Sequence, residues 1–464
     1  MKPILNPLFG FDAYTPDGEP HVFAGRLYLY GSHDRYHGDK YSPEDYVAWS
    51  CPADDLSDWR CDGVIYRRDQ DPANPDGSRC LYAPDVIDGP DGKYYLYYEL
   101  EGVDGLSVAV SESPAGPFAY YGNVVYPPGV KREELPYYPY GFDPGLLRDG
   151  GHVYLAMGFS VDFPIAGMDL KPQNMKGAFI TELEPDMRTM KTVPQYVIPG
   201  CGQGKGTSFA DHEFLEASSL RKYGDRYYFI YSSQHQHELC WAVSDNVFGP
   251  YEYQGVLISN AAENGHLRGN WANNHGSVVQ IEDRFYVLYH RHTCGIQYSR
   301  QACAEPIRFE NGRFLTAKIS IEGISENELA PGRYAAGHAC FVRDNDAGIF
   351  IPFGGVSMDT ARIDCDRVIN IRESTVVYRH ISKMNTLELE MEHPSGGTVD
   401  LYIDGAYAGT KELQEAVRFE VTAERAEAEL RFHSPVPLTL LAVSFYRLMI
   451  WINSDLLYWV CSGG

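Results

Sequence analysis

The sequence predicts an all-β chain: a five-bladed β-propeller over residues 1–325, followed by a smaller β-sandwich over residues 326–464. Three observations predict it. A turn followed by an aromatic-rich strand recurs five times, a second strand-like pattern follows each of these, and the texture changes to polar–apolar alternation from about residue 330. Internal repetition of this kind marks a stacked or radial architecture.

The first pattern reads GRLYLYGS from Gly25, GKYYLYYE from Gly92, GHVYLAMG from Gly151, GDRYYFIY from Gly224 and DRFYVLYH from Asp283. A short apolar segment precedes each: HVFA, DVID, GLLR, SSLR and GSVVQI. Segment, turn and aromatic run together read as a β-hairpin. The second pattern appears as YVAWSCPADDLSDW from Tyr46, LSVAVSESPAGPF from Leu106, GAFITELEPD from Gly177, LCWAVSDNVFGPY from Leu239 and QYSRQACAEPIRF from Gln297. Alternating small and apolar residues supply a third strand, and the turn signals that end them lead to a fourth. Five units of four strands make a five-bladed propeller. The repeat of about 65 residues exceeds the usual blade period of about 40–50, so long loops are expected, among them 34–45, 126–141 and 161–176. After ELAPGRYAAGHA, the segments TLELEME, GTVDLYIDG, AVRFEVTA and EAELRFHS alternate at period two, which is the pattern of a sandwich.

Composition narrows the partners. The chain has 464 residues and a formal net charge of −24. That charge repels nucleic-acid phosphates and anionic membranes, and leaves a neutral ligand open. No apolar run is long enough for a membrane span. The start MKPILNPLFGFD lacks a secretory-signal core, so a cytoplasmic location is expected, although a chain whose signal had been removed would look the same and would be secreted. Ten cysteines without a CxxC pair read as reduced, mostly buried thiols. GQGKG at 202–206 has the wrong spacing for a phosphate loop.

The first strand of a blade lines the central channel, so the residues that begin it converge on one funnel. Those residues are Asp17 in YTPDGEPHVF, Asp85 in YAPDVI, Asp143 in YGFDPGLL, Glu216 in FLEASSL and His275 in NNHGSVV. Aspartate before a strand is a common turn residue, but Glu216 is a poor turn former, and turn chemistry gives no reason for a carboxylate in four successive blades. Crowded carboxylates repel and raise at least one pKa. Two carboxyl groups of different pKa are what glycosidic cleavage needs, one to protonate the leaving oxygen and one to activate water or attack the sugar.

On NPLFGFDAYTPDGEPHVF, LYAPDVI, FDPGLL, FLEASSLRKYGDRYYFIYSS and NNHGSVVQIEDRFYVLYH, the chain resembles glycoside hydrolase family 43 over all five blades. The resemblance implies an inverting glycosidase. Asp17 corresponds to the general base, with Asp12 a nearby rival; Asp143 to a residue that tunes the pKa of the acid; and Glu216 to the general acid. Two positions depart from the family pattern, Gly18 where proline is usual and Ala217-Ser218 where Gly-Pro is frequent. The resemblance further implies substrate contacts from Asp85, Arg300 and Phe142. For Arg300 a salt bridge to a funnel carboxylate is the alternative. His275 resembles a residue beside an axial metal ion, often calcium, with a hydrogen-bonded core histidine as the alternative. No cofactor is required for the chemistry. The substrate implied is an oligosaccharide or polysaccharide, cleaved from the end by removal of pentose units as an α-L-arabinofuranosidase or β-xylosidase. A galactofuranosidase and a non-catalytic sugar-binding propeller remain the alternatives. The C-terminal segment resembles accessory β-sandwiches, some of which bind carbohydrate.

Overall fold

The structure is a computed structural model of the chain that describes residues 4–137, 139–161, 176–260, 273–292, 297–324, 329–344, 360–381 and 383–446. Most of the expected loop 161–176, the expected domain boundary at 325 and residues 447–464 lie outside the described residues.

Four sheets of four antiparallel strands and one of three follow one another in chain order. Their innermost strands are Glu19–Phe23, Asp85–Asp88, Gly145–Asp149, Phe214–Tyr223 and Ser277–Ile281. Neighbouring inner strands pack against each other, and the first packs against the fifth. This closes a five-bladed propeller. A longer set of strands from Gly332 to Tyr446 forms the C-terminal sandwich. Among the described residues, no helix is long and apolar enough to cross a membrane.

The aromatic strands that signalled the blades are apolar on both faces because both faces are covered. In Arg26–Tyr30, successive side chains point to opposite sides. Leu27 and Leu29 pack with Val279 and Ile281 of blade five. Tyr28 and Tyr30 pack with Leu96 and Tyr98 of blade two. In Tyr94–Glu99 the same division sends Tyr95 and Tyr97 toward Leu155 and Met157 of blade three. A buried tyrosine needs a partner for its hydroxyl. Tyr30 donates to the Pro114 carbonyl at 2.7 Å, and Tyr98 donates to Asp71 at 2.8 Å while sharing a 2.7 Å hydrogen bond with Tyr66.

Blade five departs from the expected four strands. Its sheet comprises Ser277–Ile281, Arg284–Arg291 and Gln301–Ile307. The outer position is taken by the N-terminal segment, whose Leu8 N–H donates to the Ala302 carbonyl at 2.8 Å. The Asn6 amide donates to the Ala304 carbonyl, Glu305 and the Ser320 carbonyl, and its oxygen accepts from Ala304 N–H. The two ends of the propeller are thus bound together by side-chain hydrogen bonds.

In the C-terminal part, the strand Ala426–Tyr446 serves two layers. Its first half pairs with Arg367–Ile381 and Thr398–Ile403, and its second half pairs with Met384–Glu392 and Gly332–Ala335. One apolar cluster joins the sandwich interior to Trp241, Val287 and Ile307 of blades four and five.

Candidate active site

Asp17 and Asp143 lie two residues before the inner strands of blades one and three, and Glu216 is the third residue of that of blade four. Their backbones carry a signature that no motif displayed. Asp17, Asp143 and Ala217 have φ of 57°, 45° and 66°. The left-handed region is unfavourable for a residue with a side chain, and such strain gathers at functional sites. At Glu216 the pairing with the next strand shifts register on both sides, between Phe214 and Glu216 and between Glu216 and Ser219. This bulge re-aims the glutamate. Ala217 therefore occupies a conformation that suits the glycine frequent there in the resembled family. Its N–H donates to Asp143 Oδ2 at 2.8 Å, which ties the mouths of blades three and four together. The rival Asp12 is exposed and stands apart from the cluster.

Asp17 is 5 % exposed. Its Oδ1 accepts from Arg300 Nη1 at 2.8 Å. His290 Nδ1 accepts from the Asp17 N–H at 3.1 Å, and its Nε2 faces the carbonyl and Oδ1 of Asn273 at 2.7 and 2.8 Å. That arrangement places the single proton of a neutral imidazole on Nε2. Burial opposes the charge of Asp17, but the Arg300 guanidinium outweighs it and holds the carboxyl well below the usual range. Glu216 is the reverse. Burial and the nearby Asp143 push it up to about 8, against the pull of His275 and Arg300. Asp143 is raised to about 6, chiefly by burial, with His275 opposing and Asp17 adding to the rise. His275 Nδ1 lies 3.6 Å from Asp143 Oδ2, and burial of the imidazole is outweighed by Asp143, Glu19 and Asp17, which raise it to about 9. The site thus holds one carboxylate firmly ionised and one carboxyl proton retained near neutrality.

Two expected substrate contacts are engaged within the protein. Asp85 is fully buried. Its Oδ1 faces His21 Nε2 at 2.6 Å and accepts from Val86 N–H, and its Oδ2 accepts from Leu146 N–H at 2.7 Å. It joins the inner strands of blades one, two and three, so its two oxygens are occupied within the protein. Arg300 is 2 % exposed. Its Nε and Nη2 grip Asp34 at 2.8 and 3.0 Å, and Nη1 reaches Asp17. The salt-bridge alternative is present, and through it Arg300 orients Asp17. Phe142 is partly exposed and packs on Phe159, with centroids 4.7 Å apart.

Sequence reasoning missed Asp34, His290, Tyr41 and His237. Asp34 stands at the root of loop 34–45, where Ser42 N–H binds it, so this loop anchors Arg300. The Arg300 guanidinium lies 4.7 Å from the Tyr41 ring. His237 Nδ1 lies 3.9 Å from Glu216 Oε1. Long-range partners such as these leave no periodic trace in a sequence.

The expected axial metal falls at His275. Its Nε2 lies 3.7 Å from Glu19 Oε1, and both atoms are buried without a hydrogen-bond partner. Calcium takes six to eight oxygens. One carboxylate oxygen and one imidazole nitrogen fit only a cation whose remaining shell is water.

The funnel thus gathers one ionised and one protonated carboxyl at the mouths of blades one and four. Residues 15–314 match the glycosyl hydrolases family 43. A xylosidase/arabinosidase of Thermoclostridium stercorarium is 44 % identical over 370 residues, covering 77 % of this chain and 76 % of that one. A xylosidase/arabinosidase 43A of Humicola insolens is 30 % identical over 353 residues, 68 % of this chain and 99 % of that one. Among solved structures, a family 43 β-xylosidase/α-arabinofuranosidase from a compost microbial metagenome superposes with a TM-score of 0.53 at 26 % identity, covering 68 % and 97 % of the two chains. An arabinoxylan arabinofuranohydrolase from Bacillus subtilis, 18 % identical, shares the fold over 96 % of this chain and 99 % of its own with a TM-score of 0.53. Matched over most of its length, this chain belongs to glycoside hydrolase family 43 and is a glycosidase.

Proposed function

We propose that the chain is an inverting, exo-acting glycosidase that removes xylose or arabinose units from oligosaccharides, with Asp17 as general base and Glu216 as general acid. The observation that carries the reading is the opposite tuning of these two carboxyls. Asp17 takes a proton from a water as that water attacks the anomeric carbon. Glu216 gives its proton to the departing glycosidic oxygen. Each step leaves the other residue's charge unchanged, so the pair must be restored by one proton transfer through solvent. The pentose preference rests on the named relatives. Loop 34–45, anchored through Asp34 and carrying Tyr41 against Arg300, supports a pocket closed on one side and therefore attack at chain ends. We further infer that an axial cation would bind through water beside His275 and Glu19, with the His275 proton released to solvent as it binds.

The test is a panel of nitrophenyl glycosides. Release from the β-xyloside, the α-L-arabinofuranoside or both is expected, with the first-formed sugar of inverted anomeric configuration by NMR. Release from hexosides or a galactofuranoside alone would refute the pentose assignment.

Asp143 gives a second expectation, in pH. Ionised Glu216 cannot act as acid, so kcat/KM falls as pH rises through its pKa. The groups facing Glu216 are Asp143, Asp17, His275, Arg300 and His237. Asp143→Asn removes the nearest negative neighbour, and the Glu216 proton is lost more easily. The alkaline limb of the pH–rate profile is therefore expected to move to lower pH in Asp143→Asn. An unmoved limb would separate Asp143 from the tuning of Glu216.

A further inference from the structure

Away from the funnel, blade four gathers four metal-ligating side chains with no part in the mechanism above. Glu238 and Cys240 stand two residues apart where the third strand of the blade begins, and period two puts them on one face. His212 precedes the inner strand, and His235 lies on the turn between the second and third strands. One ligand atom from each of His212, Glu238 and Cys240 lies within 4.8 Å of the others. His212 Nδ1 and Glu238 Oε2 are 3.4 Å apart, and both atoms are buried without a hydrogen bond. Cys240 is fully buried.

We propose that His212, Glu238 and Cys240, with His235 as fourth ligand, form a zinc-type transition-metal site at this edge of blade four. The donor set argues for that class. A thiolate with imidazoles and one carboxylate suits zinc and its neighbours, whereas calcium and magnesium favour oxygen alone. Zinc takes four such ligands as a tetrahedron. The frame is in place without the metal. The Tyr253 ring stacks on His212 with centroids 4.6 Å apart, and Tyr231 OH donates to the His212 carbonyl at 2.7 Å. Ser233 N–H donates to the Glu238 carbonyl and Glu238 N–H to that of His235, which shapes the turn. The His235 ring is exposed, and its centroid lies 5.7 Å from that of His212, near enough to complete the set by side-chain rotation. The alternative is a protonated His212 paired with Glu238, with Cys240 packed in the blade core beside Tyr231 and Ala242, and the titration below distinguishes the two. Binding expels the Cys240 thiol proton to solvent and involves no redox change.

The test uses the full chain, stripped with a chelator and titrated with Zn²⁺ alone by calorimetry, and with Co²⁺ alone by near-ultraviolet absorption for the thiolate-to-cobalt band. One equivalent and a thiolate band are expected. Outer-shell partners alone are worth about 10–100-fold in metal affinity, so His212→Ala and Cys240→Ala should each weaken Zn²⁺ binding by at least about 100-fold. Cys240→Ala should also abolish the band. Cys365, which has His37 and Asp364 nearby, is the rival source of a thiolate, so Cys365→Ala should leave both readouts intact. If Cys240→Ala fails to fold, His212→Ala, at a partly exposed position, carries the test, with circular dichroism as the control for folding. No Zn²⁺ uptake, or uptake unchanged in folded His212→Ala, would overturn the proposal.

Discussion

Asp17→Asn is expected to abolish turnover of every glycoside the enzyme accepts, whatever its leaving group. An inverting reaction has no step that avoids the water, and the asparagine amide cannot take its proton. General-base help is worth about 10²–10⁴-fold, and the loss in kcat should fall in that range or beyond it on nitrophenyl and natural substrates alike. Arg300 keeps its two bonds to Asp34 in the variant, so folding should survive and circular dichroism should be unchanged. Azide, a nucleophile that needs no base, should restore part of the rate and yield a glycosyl azide. A folded Asp17→Asn that retains near-normal turnover would remove Asp17 from the role of base.

Glu216→Gln is expected to separate substrates by their leaving groups. The substitution keeps the shape of the side chain and removes its proton. A nitrophenolate departs with little help, so aryl glycosides should lose little. A sugar alkoxide is a far poorer leaving group, and xylo- or arabino-oligosaccharides should lose about 10²–10⁴-fold. The measurement is kcat/KM across aryl glycosides of graded phenol acidity, set beside a natural oligosaccharide. Equal losses across the series would leave a glycosidase but assign the proton to another group. Azide should rescue this variant less than Asp17→Asn, since its defect lies in departure and not in attack.

The blades were legible because each second strand is covered on both faces. RLYLY and YYLYYE read as unbroken aromatic runs for the same reason that Tyr28 and Leu29 enter different inter-blade cores. The carboxylates at the strand mouths were legible because radial repetition places equivalent positions around one axis. Their environments were not. Asp85 and Asp143 sit in similar sequence settings, yet one is locked by His21 and Leu146 while the other faces His275 and the Glu216 mouth. That difference depends on contacts between residues 61 to 132 positions apart in the chain. Arg300 was recognised as belonging to the site, but its hold on Asp34 depends on a loop conformation without a motif. The fourth strand of blade five could not be found by local pattern, because the residues that fill its place come from the opposite end of the propeller.

That last arrangement has a kinetic side. The hydrogen bond from Asn6 to Glu305 spans 299 positions, and the one from Arg300 to Asp17 spans 283. Both cross the seam where the ring closes. Contacts of such high sequence separation carry the largest loop-closure entropy and belong late in folding. Until the last blade docks on the first, Asp17 lacks Arg300, and with it the depressed pKa that keeps it ionised. A chain growing from its N-terminus makes the base among its first residues and the guanidinium that sets its charge state among the last of the propeller. Catalytic competence is in this sense a readout of circularity: the blades can each be formed, and the enzyme is still inert while the ring is open.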